Sequence, residues 1–86
     1  MITIDHEALR RIVKAYGRLP VDVDTLSEDE DLYLAGMTSH ASVSVMLAVE
    51  DAFAFEFPDD MLTRGVFGSI NSMAAAVASL LGNLEA

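Results

Sequence analysis

The chain has 86 residues, 14 Asp plus Glu against 5 Lys plus Arg, and no cysteine, for a net charge of −9. That charge argues against nucleic acid and anionic membrane surfaces, which recruit Lys and Arg, and it points to basic partners. The missing cysteines exclude a disulfide scaffold, a thiolate metal site and a redox dithiol, while 52% hydrophobic content is too apolar for a disordered acidic tail.

The length suits a single domain over residues 1-86. Met1 to Glu7 carries no basic stretch leading into an apolar core, so no secretory leader is read there. The first helix is predicted over 5-18. Leu9, Ile12, Val13 and Tyr16 recur at the spacing of one buried face, with Arg10, Arg11, Lys14 and Arg18 off it. Gly17 and Pro20 bracket its stop. Val21 to Met37 reads as a long loop, anchored by Leu26, Leu32, Leu34 and Met37. Ser27 and Glu30 have capping-box spacing, which predicts a short helical turn at Leu32-Tyr33-Leu34.

A second helix is predicted over 39-55, with Gly36 supplying the turn before it and Thr38 or Ser39 as its N-cap. Val43, Met46, Leu47 and Glu50 form one stripe; Val45, Val49, Ala52 and Phe53 form another beside it. A helix apolar over so much of its girth is expected at the centre of the fold. Pro58 stops it, and 62-67 leaves room for one short helix ended by Gly68. Ser69 then caps a last helix over 69-82, with Ile70, Met73, Val77, Leu80, Leu81 and Leu84 on one face and Gly82 as its end. Its longest small-apolar stretch, Met73 to Leu81, is far short of the roughly 20 residues of a membrane span. The fold class is all-α, a small four-helix bundle of three main helices and one short one, in a soluble, cytoplasmic protein.

The acids are concentrated. Between Leu19 and Thr63 there are eleven and no Lys or Arg, whereas four of the five bases lie between Arg10 and Arg18. Such a run either keeps a small domain soluble or frames a docking face for basic partner enzymes. The usual catalytic constellations are missing: no glycine-rich phosphate cradle, no His-Glu-x-x-His, no Gly-x-Ser-x-Gly. His6 and His40 lie in different elements and read as surface residues. Asp22-x-Asp24 with Glu28 lacks the mid-loop Gly and the terminal Glu of a calcium loop, so no metal site is assigned. Ser39 and His40 are adjacent, but consecutive helical side chains diverge and cannot form a nucleophile–base pair. Nothing supports an enzyme. One serine remains in an unusual place: Ser39 is expected to be exposed at the mouth of the second helix, where free N–H groups favour an anion. By position alone it reads as an N-cap.

The surrounding residues reverse that judgement. Asp31-Leu32-Tyr33-Leu34-Ala35-Gly36-Met37-Thr38-Ser39-His40 resembles the acyl carrier protein and peptidyl carrier protein superfamily, whose members read Asp-Leu-Phe-x-x-Gly-Leu-Asp-Ser-Leu there. The resemblance continues without a gap through Glu50-Asp51-Ala52-Phe53 and Phe55 to Asp59, and closes at Phe67-Gly68-Ser69-Ile70, covering Glu7 to Leu81. It implies that Ser39 carries 4′-phosphopantetheine, whose thiol holds an acyl or aminoacyl group as a thioester, and that the chain is a substrate of other enzymes. It also implies docking through Met37, Thr38, His40, Val43, Glu50 and Asp51. The expected partners are a phosphopantetheinyl transferase, a ligase with a basic docking patch and a downstream acceptor, met by a monomer.

The departures refine this reading. Thr38 stands where most carriers have Asp, His40 where they have Leu, and Ala41 and Ser44 at positions that are commonly acidic in fatty-acid carriers. Gly36 to Val43 and Phe57 to Arg64 are more similar to stand-alone bacterial carriers loaded with a small amino acid by a truncated homologue of seryl-tRNA synthetase. Such a cargo leaves Phe53, Phe55, Phe57 and Phe67 free to be core. A carrier of fatty-acid, polyketide or lipid synthesis is the nearest alternative. An unmodified acidic inhibitor and a divalent-cation buffer built on Asp22 to Asp31 are the alternatives of another class.

Overall fold

In a computed structural model the backbone of residues 4–85 and the side chains of residues 4–82 are described. Four helices follow in order: α1 (His6–Tyr16), α2 (Ser39–Phe53), α3 (Arg64–Phe67) and α4 (Ile70–Glu85). Two 3-10 turns, Val23–Thr25 and Asp59–Met61, sit in the connections, and no strand occurs among the described residues. The arrangement is the expected all-α bundle of three main helices and one short one. Among the described residues no helix is long and apolar enough to cross a membrane.

Asp5 caps α1, its carboxylate accepting the Glu7 N–H at 3.0 Å. Leu9 and Val13 are fully buried, each stabilising the fold by about 1.5–3 kcal/mol, and Ile12 packs beside them. Tyr16, expected on the same face, is exposed because it stands at the last turn, beyond the reach of the core. The helix ends there and not at residue 18, and the left-handed residue that turns the chain is Arg18, with Gly17 still right-handed.

The long loop is tied down at several points. Leu32 and Met37 are buried. The Leu32 N–H donates to Gly68 O at 2.7 Å and the Met37 N–H to Leu32 O at 2.9 Å. The helical turn predicted at Leu32-Tyr33-Leu34 is present, but Asp31 makes it. Its Oδ1 accepts the N–H groups of Tyr33 and Leu34, and its carbonyl accepts that of Ala35. Ser27 and Glu30 form only a backbone turn. Leu34 is no anchor: it is 86% exposed, since the turn directs it away from the buried Leu32. Gly36 has φ +121°, and a Cβ there would meet the Pro20 ring at 2.6 Å. Glycine is required on both counts, for the left-handed backbone and for the close approach of Pro20.

The second helix buries a narrower stripe than its composition suggests. Ala41, Val45 and Val49 are buried and Met46 and Phe53 partly so, whereas Val43 and Leu47 are 51% and 55% exposed. The element that packs against both long neighbours, α2 and α4, is α1. Past Pro58 the aromatic residues close one end of the core. Phe57 and Phe67 are buried, and Phe57 packs edge-on against Phe55 and Phe67 at centroid distances of 4.7 and 5.2 Å. Thr63 caps α3, whose four residues end at Gly68. Ser69 caps α4 as predicted, its Oγ accepting the Ser72 N–H at 3.0 Å. Ile70, Met73, Ala74, Ala76 and Val77 supply much of the core. Leu84, assigned to that face from its spacing, lies outside the described side chains, as do Met1 to Thr3 of the stretch read for a leader. The helix continues past Gly82, which has open space around it and no proline after it to force a stop.

Candidate functional site

The site begins at the junction between the loop and α2. The Gly36 turn delivers the chain to Thr38, whose extended backbone makes it the residue before the helix. Its Oγ1 accepts the Ala41 N–H at 3.0 Å, and its carbonyl accepts the Ser42 N–H at 2.9 Å. Thr38 is therefore the N-cap, an arrangement worth about 1 kcal/mol to a helix. The choice left open between Thr38 and Ser39 falls so as to free Ser39. Ser39 is the first helical residue, exposed, with its carbonyl accepting the Ser42 hydroxyl at 2.7 Å and its own hydroxyl uncommitted. The first-turn N–H groups of Ser39 and His40 have no helical acceptor, which gives the position the positive local potential of a helix start.

Ser39 opens onto a groove of about 350 Å³. One wall is Ser42, Val43 and Met46 of α2; the other is Leu62, Arg64 and Phe67, with Tyr33 of the loop between them. The Arg64 guanidinium lies 4.0 Å from the centroid of the Tyr33 ring, a cation–π contact worth about 0.5–1 kcal/mol at an exposed site. The two ion pairs among the described residues join His6 to Glu28 and Lys14 to Asp24, so Arg64 takes part in neither.

The six residues expected to dock partners are placed very differently. His40 and Val43 are exposed on the first turns of α2, beside Ser39. Asp51 is exposed further along, lining a shallow second groove with Tyr16, Ser44 and Leu47 on the α1 side. Thr38 is exposed but its hydroxyl is committed as the cap. Met37 is 3% exposed and belongs to the core, because the turn that presents Thr38 and Ser39 points the preceding side chain inward. Glu50 is half-buried, and one of its carboxylate oxygens accepts the Phe57 N–H at 2.7 Å, closing the connection after α2. Met37 is thus covered in this fold, whereas Glu50 remains partly open.

Periodicity did not single out Arg64 or Tyr33. The charge count carried a signal for Arg64, since it is the one base beyond Arg18. Leu62 and Leu47 were hidden because an apolar residue at helical spacing reads as core. His6, read as a surface residue, is half-buried and bonds Glu28, tying the start of α1 to the loop.

Comparison with known proteins bears on this geometry. Residues 7–77 match the family described as phosphopantetheine attachment site. An aminoacyl carrier protein of Agrobacterium fabrum is 45% identical over 78 residues, which cover 91% of this chain and 94% of that protein. A chain in the crystal structure of an engineered Bradyrhizobium japonicum glycine:[carrier protein] ligase complexed with carrier protein from Agrobacterium tumefaciens and AMP superposes with a TM-score of 0.83. It is 44% identical, over 85% of this chain and 97% of that one. A solution structure from Agrobacterium tumefaciens matches with a TM-score of 0.75 and 42% identity, over 94% of this chain and 98% of that one.

Proposed function

The chain belongs to the phosphopantetheine attachment site family, and from that premise we propose that Ser39 carries 4′-phosphopantetheine and that the protein is an aminoacyl carrier. The observation that carries the assignment is the division of labour at the start of α2: Thr38 caps the helix, so the next hydroxyl is exposed and free. The donor set fits the group. Ser39 offers the oxygen, the open N–H groups of the first turn and the nearby guanidinium favour a phosphate, and the groove beside it is lined largely by apolar side chains. In the modification Ser39 Oγ forms the new bond to phosphorus and its hydroxyl proton departs. The pyrophosphate bond of coenzyme A breaks, and adenosine 3′,5′-bisphosphate leaves. When bound, the group supplies the thiol that this cysteine-free chain lacks, and on it an aminoacyl group is held as a thioester.

Two features support an amino acid as cargo. One is the likeness to an aminoacyl carrier protein, and to a chain solved with a glycine:[carrier protein] ligase in the presence of AMP or ATP. The other is the scarcity of acids around Ser39, where Thr38 and Ser44 stand at positions that are commonly acidic in fatty-acid carriers. An ATP-dependent ligase would load the arm and a downstream enzyme would accept the aminoacyl group. Their docking face is assigned to His40, Val43 and Asp51, and the reading places the protein in the cytoplasm, where ATP and coenzyme A are available. Incubation with a phosphopantetheinyl transferase and coenzyme A should add the mass of one phosphopantetheine. Ser39→Ala should abolish the addition, and Ser42→Ala, three residues along the same groove, should retain it. A wild-type chain left unmodified by several broad-specificity transferases would overturn the reading.

A further inference from the structure

The groove beside Ser39 contains a cation with no stated purpose. Arg64 is the one base after Arg18 in a chain of net charge −9, and it lines the groove together with Ser39. Asp59 and Asp60 lie four and five residues before it in sequence, yet no carboxylate among the described residues pairs with it. The guanidinium rests on the Tyr33 ring instead. Contact with a ring face holds the group in place while leaving its N–H donors available. Tyr33 is itself held. Its N–H is bonded to Asp31 at 2.9 Å, and its side chain packs against the core. The result is a positioned, unneutralised fork of donors lining the same groove as the exposed hydroxyl of Ser39.

We propose that Arg64, seated on Tyr33, pairs with the phosphodiester that joins the prosthetic arm to Ser39. The inference rests on the assignment of Ser39 as the attachment point. Its physical basis is the charge of the protein: the phosphodiester adds a further negative charge to a chain of net charge −9, and the local cation offsets it. A guanidinium suits a phosphate better than an ammonium would, because its donors are coplanar and can engage two oxygens together. Pairing also fixes the first bonds of the arm and so the direction in which it leaves the surface. Arg64 is a positioning residue and takes no part in bond making.

The test compares unmodified and phosphopantetheinylated protein, with mass spectrometry first confirming the arm. The Arg64 side-chain Nε–H resonance should shift on modification. The phosphorus resonance of the modified protein should move in Arg64→Gln, and move partly in Arg64→Lys and in Tyr33→Leu. Arg64 is exposed, so Arg64→Gln should lose no more than its contact with Tyr33, a fall of roughly 2–8 °C in the thermal midpoint, and stay folded. If the mass increases but neither resonance responds, the pairing is wrong and the carrier reading stands. Unchanged resonances with slower ligase loading of Arg64→Gln would also overturn it and assign Arg64 to a carboxylate of the enzyme. Failure to gain mass would remove the carrier reading itself.

Discussion

Ala54 ends α2 in a left-handed conformation, φ 56° and ψ 55°, with its N–H donating to Glu50 O. An L side chain pays about 1–2 kcal/mol to stand there, and glycine does not. Ala54→Gly is therefore expected to stabilise the protein by about 1 kcal/mol, raising the thermal midpoint by roughly 4–8 °C for a domain of this size. An unchanged or lower midpoint would mean that the gain in the folded state is cancelled by the entropy glycine adds to the unfolded chain. The same scale shows how far single residues could be read without coordinates. Ser39 stands out in the sequence because its neighbours form a recognisable run, whereas the choice of Thr38 over Ser39 as the cap is a matter of one dihedral that the sequence leaves open. Met37 and Glu50 show the same limit. Both lie within the recognisable segments, but one side chain turns inward and the other is claimed by the Phe57 N–H.

The long loop shows what periodicity misses at the level of elements. It has no repeat to read, and its order comes from bonds that span the sequence. Arg10, placed off the buried face of α1, donates to the carbonyls of Val23 and Leu26 at 2.8 Å each, so one guanidinium holds the loop against the helix. Asn71 at the start of α4 holds the other side through Glu28 O and Asp29 Oδ1. Helix existence was readable from the 3.6-residue spacing of Leu9 and Val13 or of Ile70, Met73 and Val77. Helix ends were less so, since Tyr16 and Gly82 depend on what lies beside them. Arg10→Ala should destabilise the protein by about 1.5–3 kcal/mol, as expected for hydrogen bonds from a charged donor to carbonyls left partly buried, and urea titration reads it directly. Lys14→Ala should move the urea midpoint far less, because the Lys14–Asp24 pair is mostly in water. The hydrogen bond to Asp24, then the charges of Asp24 and Asp22, raises the lysine above its ordinary value. The pair's small contribution is thus present at neutral pH and lost as pH rises through that raised value, and Lys14→Ala should flatten that alkaline loss. A midpoint in Arg10→Ala equal to that of Lys14→Ala would show that the loop is held without the guanidinium.

For the molecule as a whole, the acids between Leu19 and Thr63 divide into two sets. Asp22, Asp24, Glu28, Asp29, Asp31 and Glu50 bond backbone or side-chain groups of the fold. Glu30, Asp51, Glu56, Asp59 and Asp60 are exposed. All of them contribute to the long-range field that would draw a basic enzyme in; Asp22, Asp24, Asp29 and Asp31 are exposed too, but the second set can touch it without giving up a bond of the described fold. The surface nearest Ser39 is a different kind of face, with Val43 and Leu62 exposed in the groove and Leu47 one turn further along α2. Steering and contact are therefore separable. Association with the loading ligase should slow as ionic strength rises, and Asp51→Asn should lower that salt dependence while changing affinity little. Val43→Asp places a charge in the apolar contact beside the arm and should raise KM for loading about tenfold, equivalent to roughly 1.4 kcal/mol. Because Val43 is half exposed, its thermal midpoint should stay close to that of the parent, which separates lost docking from lost folding. Stopped-flow association across a salt series and steady-state loading of the two variants measure both. An association rate indifferent to salt would sink the steering account, and a KM unchanged by Val43→Asp would place the contact elsewhere on the molecule.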